Sequence, residues 1–599
     1  MSAKLRTALY AGLLTAASAF WSVAGSAADA SPPAGPAAGH PPKLISIPHH
    51  AALTQPLVKG WHTFPLQEMP NLHALPIERK LGGGAPPGGA AAPLALYSLG
   101  TTSFSLKPQS AGSSPINTSS SATLAGYNYK GETTIAFAPG SDLLVGGFNE
   151  LASIGCGGPV PCAPGATVAS ISGNPAPASW TTSVLPLNVG TSTCLNLGFF
   201  LSCNILGYDP TLVVSSDNKT FFYSYGVCGA DLGLCSSASV MFATSTDGKN
   251  WTNSEVTSTV GNLFLFFDDK QSGTADPINH LRAYVVWTRN AMVLDNNITY
   301  AVQVIYLAQT NDGGKTWSSP VNQYTTLVTP NAVSDPNNLQ GAVIFAMPAV
   351  SNDGSTVYVV WIDYSQTPTR LFLNTCLPDP SNPMSNPLPI CDYTKAHSIL
   401  SLNTPIQTDI ACNSGRAITS TPAIAVAPSG RIYVTFADVP PGASTYNIFL
   451  MYSDTGGMTW SVPYRLNDDT TWQSRQHYFP ALSVVHSTGD AYVSWLDRRN
   501  DSTDCLTQTF STYTDGSVDA FGRLQVAHNL NVSAGPGRLP SSTLNRSNYN
   551  GDVNGNGPGD YMGVVGLVLG KNLQYPLWPV HPRAKSPVFN IFTEEVTGP

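Results

Sequence analysis

The chain has 599 residues with 28 Lys and Arg against 36 Asp and Glu, a formal net charge of -8, and only 11% charged residues. With 42% hydrophobic residues it has ample material for a large core, which excludes a disordered polyanion. No Lys/Arg stripe interrupts it, which excludes an ordinary nucleic-acid binder.

In chain order, Lys4 and Arg6 precede a short apolar run over 8–21, and Ser26 and Ala28 fit a small-x-small cleavage rule. Residues 1–28 therefore read as a secretory signal, too short to be a membrane span. The mature chain is expected outside the cytoplasm, secreted or at the cell surface, with no membrane span. Residues 29–94 form an arm rich in Pro, Gly and Ala, which reads as extended chain able to add to a neighbour's sheet edge in self-assembly. The stretch 95–599 is the structured domain, and Ala95–Leu99 is its first expected strand, pairing near the C-terminal strand at Val588–Thr593.

Ten cysteines fit export. Neighbours in sequence pair as Cys156 with Cys162, Cys194 with Cys203, Cys228 with Cys235 and Cys376 with Cys391. Cys412 and Cys505 remain to pair across the fold, although spacing does not fix connectivity. Sequons such as Asn218 and Asn250 make the chain a candidate glycoprotein. Its low carboxylate count leaves few groups for acid to protonate, which suits an acidic exterior.

From about 130 onward, short strands alternate with turns. One unit recurs as Tyr284-Val285-Val286-Trp287, Tyr358-Val359-Val360-Trp361, Tyr433-Val434-Thr435-Phe436 and Tyr492-Val493-Ser494-Trp495. The last residues of the four units are 74, 75 and 59 residues apart. Weaker copies centre near 148, 225 and 570. A second repeat is a turn ending in Trp. It runs from Ser245 through Asp247 to Trp251, from Thr310 through Asp312 to Trp317, and from Ser453 to Trp460. Asp or Ser side chains there accept backbone N–H bonds, Gly supplies positive φ, and Trp packs between sheets.

These turns resemble the Asp-boxes, or BNR repeats, of the sialidase superfamily, S-x-D-x-G-x-T-W. The copy at Asp312 departs only in Thr310, the copy at 453–460 has Thr455 where Asp is expected, and the copy at 245–251 is one residue short. The resemblance implies an all-β fold, a β-propeller of four-stranded blades. The seven inner-strand centres favour seven blades over six.

In such a fold the Asp-box turns lie on one face and the ends of the second strands on the other, the substrate face of sialidase-like propellers. Arg289, Asp363, Asp438, Asp497 and Arg498 are expected on that second face, joined by Asp209, Tyr478 and the Asp560–Tyr561 pair. With Arg370 they are the candidates for catalysis or binding, because guanidinium forks fit carboxylates and acids move protons. The sialidase F/Y-R-I-P motif is missing, no Arg stands between 80 and 281, and no Glu between 256 and 593. The expected function is glycan or cell-surface protein binding, or extracellular assembly, with an exo-acting sialidase-type glycoside hydrolase as the alternative. No organic cofactor is implied. Asp552, Asn554, Asn556 and Asp560 alternate with Gly like the start of a calcium loop, so a structural Ca2+ is expected there.

Overall fold

The computed structural model describes residues 107–108, 114–115 and most of 128–597. The longest intervals outside the described residues are 1–106, 116–127, 153–163, 319–327, 329–342, 535–546, 549–560 and 581–589.

Blade 1 shows the plan. Its inner strand Asn128–Ala138 pairs with Leu143–Ala152, then Gly165–Ser170, then Thr181–Val184, each antiparallel to the last. Blade 2 repeats it with Ile205–Val214, Phe221–Gly229, Ala238–Ser245 and Thr252–Thr257. Blade 3 uses Phe266–Ala275, Ala283–Asp295 and Ile298–Thr310. Backbone bonds from Ser318 to Gln309 and from Val328 to Ile305 continue its outer edge. Blade 4 runs Val343–Val350, Val357–Asp363 and Arg370–Leu377, with Ile390–Cys391 and His397–Ser401 on its outside. Blade 5 is Ala423–Val426, Ile432–Asp438, Asn447–Ser453 and Tyr464–Arg465. Blade 6 is His477–Val484, Ala491–Asp497, Leu506–Thr514 and Leu530–Asn531.

The propeller thus has six blades, which corrects the expectation of seven. The hydrophobic centre near 570 falls in a sheet of different order. There Asn572–Val580 carries Gly563–Val568 on one side and both Asn590–Thr593 and Val596–Thr597 on the other. Beyond these, Ser114–Pro115 pairs with Phe592 and Thr593, and Lys107–Pro108 with Val596 and Thr597. This sheet closes the ring instead of repeating the four-strand meander. Periodicity missed the difference because it reads strand hydrophobicity and not pairing order. The closing strand expected at Ala95–Leu99 lies outside the described residues.

Packing between blades explains the recurring apolar unit. In Ala283–Asp295 the side chains alternate, with Tyr284 and Val286 facing blade 4 and Ala283, Val285 and Trp287 facing blade 2. Second strands are covered on both sides, so they read as continuous apolar runs. Trp287, Trp361 and Trp495 are fully buried. The closing sheet packs Leu573 and Leu577 against blade 1, and Met562, Val564 and Trp578 against blade 6.

All three Trp-ended turns join third strands to fourth positions, hence share one face. Ser245 Oγ accepts from Gly248 N at 2.9 Å, and Asp247 Oδ1 accepts from the amides of Lys249 and Asn250 at 2.8 Å each. Asp312 does the same for Lys315 and Thr316. At 453–460, Thr455 Oγ1 replaces the carboxylate and accepts from Thr459 N at 2.8 Å. Asp217, in the turn after the inner strand of blade 2, behaves alike. Its burial raises the pKa, but bonds from Ser215, Lys219 and Thr220 outweigh this and bring the carboxyl down to about 2. Its folded pKa is depressed, so this contribution is present above the usual 3.8 and is lost only as pH falls through about 2.

Candidate functional site

The opposite face holds the starts of the inner strands and the loops from second to third strands. Five of the six inner strands carry a register shift there. The residue at each shift has positive φ without being glycine: Glu132 at 49°, Asp209 at 52°, Lys270 at 52°, Phe345 at 57° and Phe479 at 54°. Blade 5 alone pairs its described inner strand without a shift. A left-handed non-glycine residue costs about 1–3 kcal/mol, and such strain concentrates at ligand sites.

These bulges bring side chains from four blades together. Lys270 Nζ of blade 3 lies 3.5 Å from Glu132 Oε1 of blade 1 and 3.2 Å from Asp209 Oδ2 of blade 2. The same ammonium stands 5.9 Å over the ring of Phe345 from blade 4. Asn149 Nδ2 donates to Glu132 Oε2, and Lys270 N to Asp209 Oδ2 at 3.3 Å. Tyr208 donates to the Asp268 carbonyl at 2.8 Å, and burial, reinforced by Asp269 and Asp209, pushes its phenol pKa well up. The cluster combines carboxylate acceptors, an ammonium donor and an aromatic ring, all of them buried. Of its members, sequence reasoning reached only Asp209. The signal it passed over is a charged residue interrupting each of the first three inner strands, at Glu132, Asp209 and Lys270.

The other expected residues take the following places. Asp363, Asp438 and Asp497 end second strands, whereas Arg289 sits inside one, because the hairpin of blade 3 runs six residues further. Arg289 Nε and Nη2 grip Asp268 at 2.7 Å each, and Nη2 also donates to Thr257 at 3.0 Å. Asp363 stands opposite Arg370 in register. Asp438 accepts from the Asn403 amide at 3.1 Å to each oxygen. Asp497 accepts from Trp495 Nε1 at 2.8 Å and from the Arg499 amide at 2.8 Å. Arg498 is buried with its guanidinium 5.3 Å from the Tyr478 ring, and both bond Thr507 Oγ1. Tyr561 donates to the Pro210 carbonyl at 3.0 Å, reaching past blade 1 to the inner strand of blade 2.

Asp552, Asn554, Asn556 and Asp560 lie outside the described residues, and among the described residues no group of three His, Cys, Asp or Glu side chains forms a metal site. Cys376–Cys391 is a cross-strand disulfide in blade 4. The remaining cysteine pairings expected from sequence lie outside the described residues.

No protein-family model matches the chain, and no curated protein matches it. Among solved structures, a Hadza microbial sialidase aligns at 11% identity and a TM-score of 0.36, over 62% of this chain and 63% of that one. The α-L-arabinanase of Penicillium chrysogenum aligns at 15% and 0.37, over 65% and 94%. Trypanosoma rangeli sialidase aligns at 13% and 0.33, over 84% and 60%. The chain therefore spans less than two thirds of the length of either sialidase. Strand order and inter-blade packing identify it as a six-bladed β-propeller.

Proposed function

We propose that this chain is an exported, glycan-binding propeller of the Asp-box kind, with its ligand site on the bulged face. The observation that supports this most is the meeting of Glu132, Asp209 and Lys270 from three blades, on inner strands strained at the same register. Paired acceptors and a donor beside the Phe345 ring match the hydroxyls and apolar faces of a sugar. The Asp-box reading draws on the shared hydrogen-bond pattern of the turns at Asp247, Asp312 and Ser453. A structural Ca2+ at 552–560, and assembly through the arm 29–94, belong to the same proposal.

The alternative is an exo-acting glycoside hydrolase of sialidase type. Against it stands Arg289, whose guanidinium is bound on two nitrogens by Asp268 and so is occupied as a carboxylate clamp. A glycan array run beside a panel of fluorogenic glycosides separates the two. Discrete array binding with a silent panel is the expected result. Turnover of any glycoside moves the assignment to the hydrolase, and an array without binding ends the glycan reading.

A further inference from the structure

His477 opens the inner strand of blade 6 and is fully buried. Its Nδ1 lies 3.0 Å from the carbonyl oxygen of Tyr446, at the start of the third strand of blade 5. Its Nε2 lies 3.1 Å from Asp469 Oδ1, just after the last strand of blade 5, and 3.7 Å from Asp497 Oδ2. A backbone carbonyl only accepts, and so does an ionised carboxylate. Asn467 Nδ2 also lies 3.5 Å from Nε2, but its two hydrogens serve Asn447 at 2.8 Å and Asp469 at 2.9 Å. Both ring nitrogens thus face acceptors, and both must carry hydrogen.

The charges around the ring agree. Arg499 bonds Asp468 at 2.8 Å and Asp497 at 2.7 Å, and Arg465 stacks on Trp472 at 4.4 Å, within electrostatic reach of Asp468 and Asp469. The exposed His528 stands 3.5 Å from the far oxygen of Asp468. Asp468, Asp469 and Asp497 are three negative charges, and Arg465, Arg499 and a protonated His477 are three positive ones. A neutral His477 leaves one negative charge uncompensated in a mostly buried site, and sets a lone pair against an acceptor.

We propose that the folded protein holds His477 as an imidazolium, and that loss of this proton loosens the joint between blades 5 and 6. Burial alone lowers the histidine pKa, but the Asp497 and Asp469 carboxylates outweigh it and raise it above 6.5. For Asp469, burial is outweighed by His477 and Arg499, which pull its carboxyl down. The signs define a window. The histidine contribution is complete below 6.5 and is lost as pH rises through the raised value. The Asp469 contribution is present above 3.8 and is lost only in stronger acid. Both contributions are therefore complete in mildly acidic surroundings, between 3.8 and 6.5.

Hydrogen exchange of the full chain tests this, corrected for intrinsic rates, at about pH 6 and about pH 9. Amides of 446–450 and 477–481 should lose protection on the order of tenfold more than those of 222–228 in the second strand of blade 2, since each unit of pKa difference is tenfold in the equilibrium. Parallel behaviour of the two regions overturns the proposal. Asp469→Asn removes one facing carboxylate and should move the loss of protection to lower pH. A transition that stays in place also counts against it.

Discussion

Deleting residues 589–599 should unfold the whole ring and not merely fray an edge. The lost strands Asn590–Thr593 and Val596–Thr597 hold the outer side of the closing sheet, and Ile591 and Val596 are fully buried there. Burying two such side chains is worth about 3–6 kcal/mol in total, comparable with the ~5–15 kcal/mol that holds a domain folded. The closing sheet also ties the ring on both sides. Thr133 Oγ1 of blade 1 donates to the Leu577 carbonyl at 2.5 Å, and Gly563 N donates to Thr133 Oγ1 at 3.3 Å. Towards blade 6, Gly566 N donates to Ser483 Oγ at 3.0 Å and Asn572 Nδ2 to Asp490 Oδ2 at 2.9 Å. Opening this sheet uncovers apolar faces on both neighbours. A truncation at 588 should show a much lower denaturation midpoint or no cooperative melt. A cooperative melt at the full-length temperature would contradict ring closure by this sheet.

Arg289→Ala should cost about 3–5 kcal/mol, because it leaves the Asp268 carboxylate buried without its charge partner. The guanidinium is gripped on two nitrogens, bonded to Thr257 and stacked 5.3 Å from the Tyr306 ring, so it ties the first three strands of blade 3 to the edge of blade 2. Lysine cannot reproduce the fork, and Arg289→Lys should recover little of the loss. Removing both charges is the informative control. The Arg289→Met, Asp268→Leu pair should melt closer to the wild type than Arg289→Ala does, since it strands no charge. Chemical denaturation of the three variants measures this. An Arg289→Ala midpoint equal to wild type would show that the pair carries no structural load.

The fold was legible in sequence to the extent that it is local. The Tyr-Val-Val-Trp unit marks strands buried on both sides, and the Asp/Ser-Gly-Trp turns mark third-to-fourth-strand connections. Both depend on near neighbours in the chain. The number of blades depends on which strands pair. Gly563–Val568 and Asn572–Val580 have the apolar character of an inner hairpin, but at the outside of their sheet Phe592–Thr593 and Val596–Thr597 pair with residues more than 450 positions away, which no spacing reveals. The site divides in the same way. Asp363, Asp438 and Asp497 end second strands, as counting strands expects, while Arg289 falls inside its strand because that hairpin is extended. Phe345 and Phe479 leave no residue signature, because glycine does not occupy their positive-φ bulges, whereas Glu132 and Lys270 were marked only by a charge inside an inner strand. The Arg289–Asp268 grip and the His477 network are likewise contacts of the folded chain, set by register and blade contact.

Ligand binding on the bulged face can be located in the folded chain. The direct measurement is a hydrogen-exchange footprint of the full chain, with and without a glycan that binds on the array. Protection is expected at the inner-strand starts around 130–134, 207–211 and 268–272, with the Trp-ended turns unchanged. Protection confined to 247–251, 312–317 and 453–460 would place the ligand on the opposite face and contradict it.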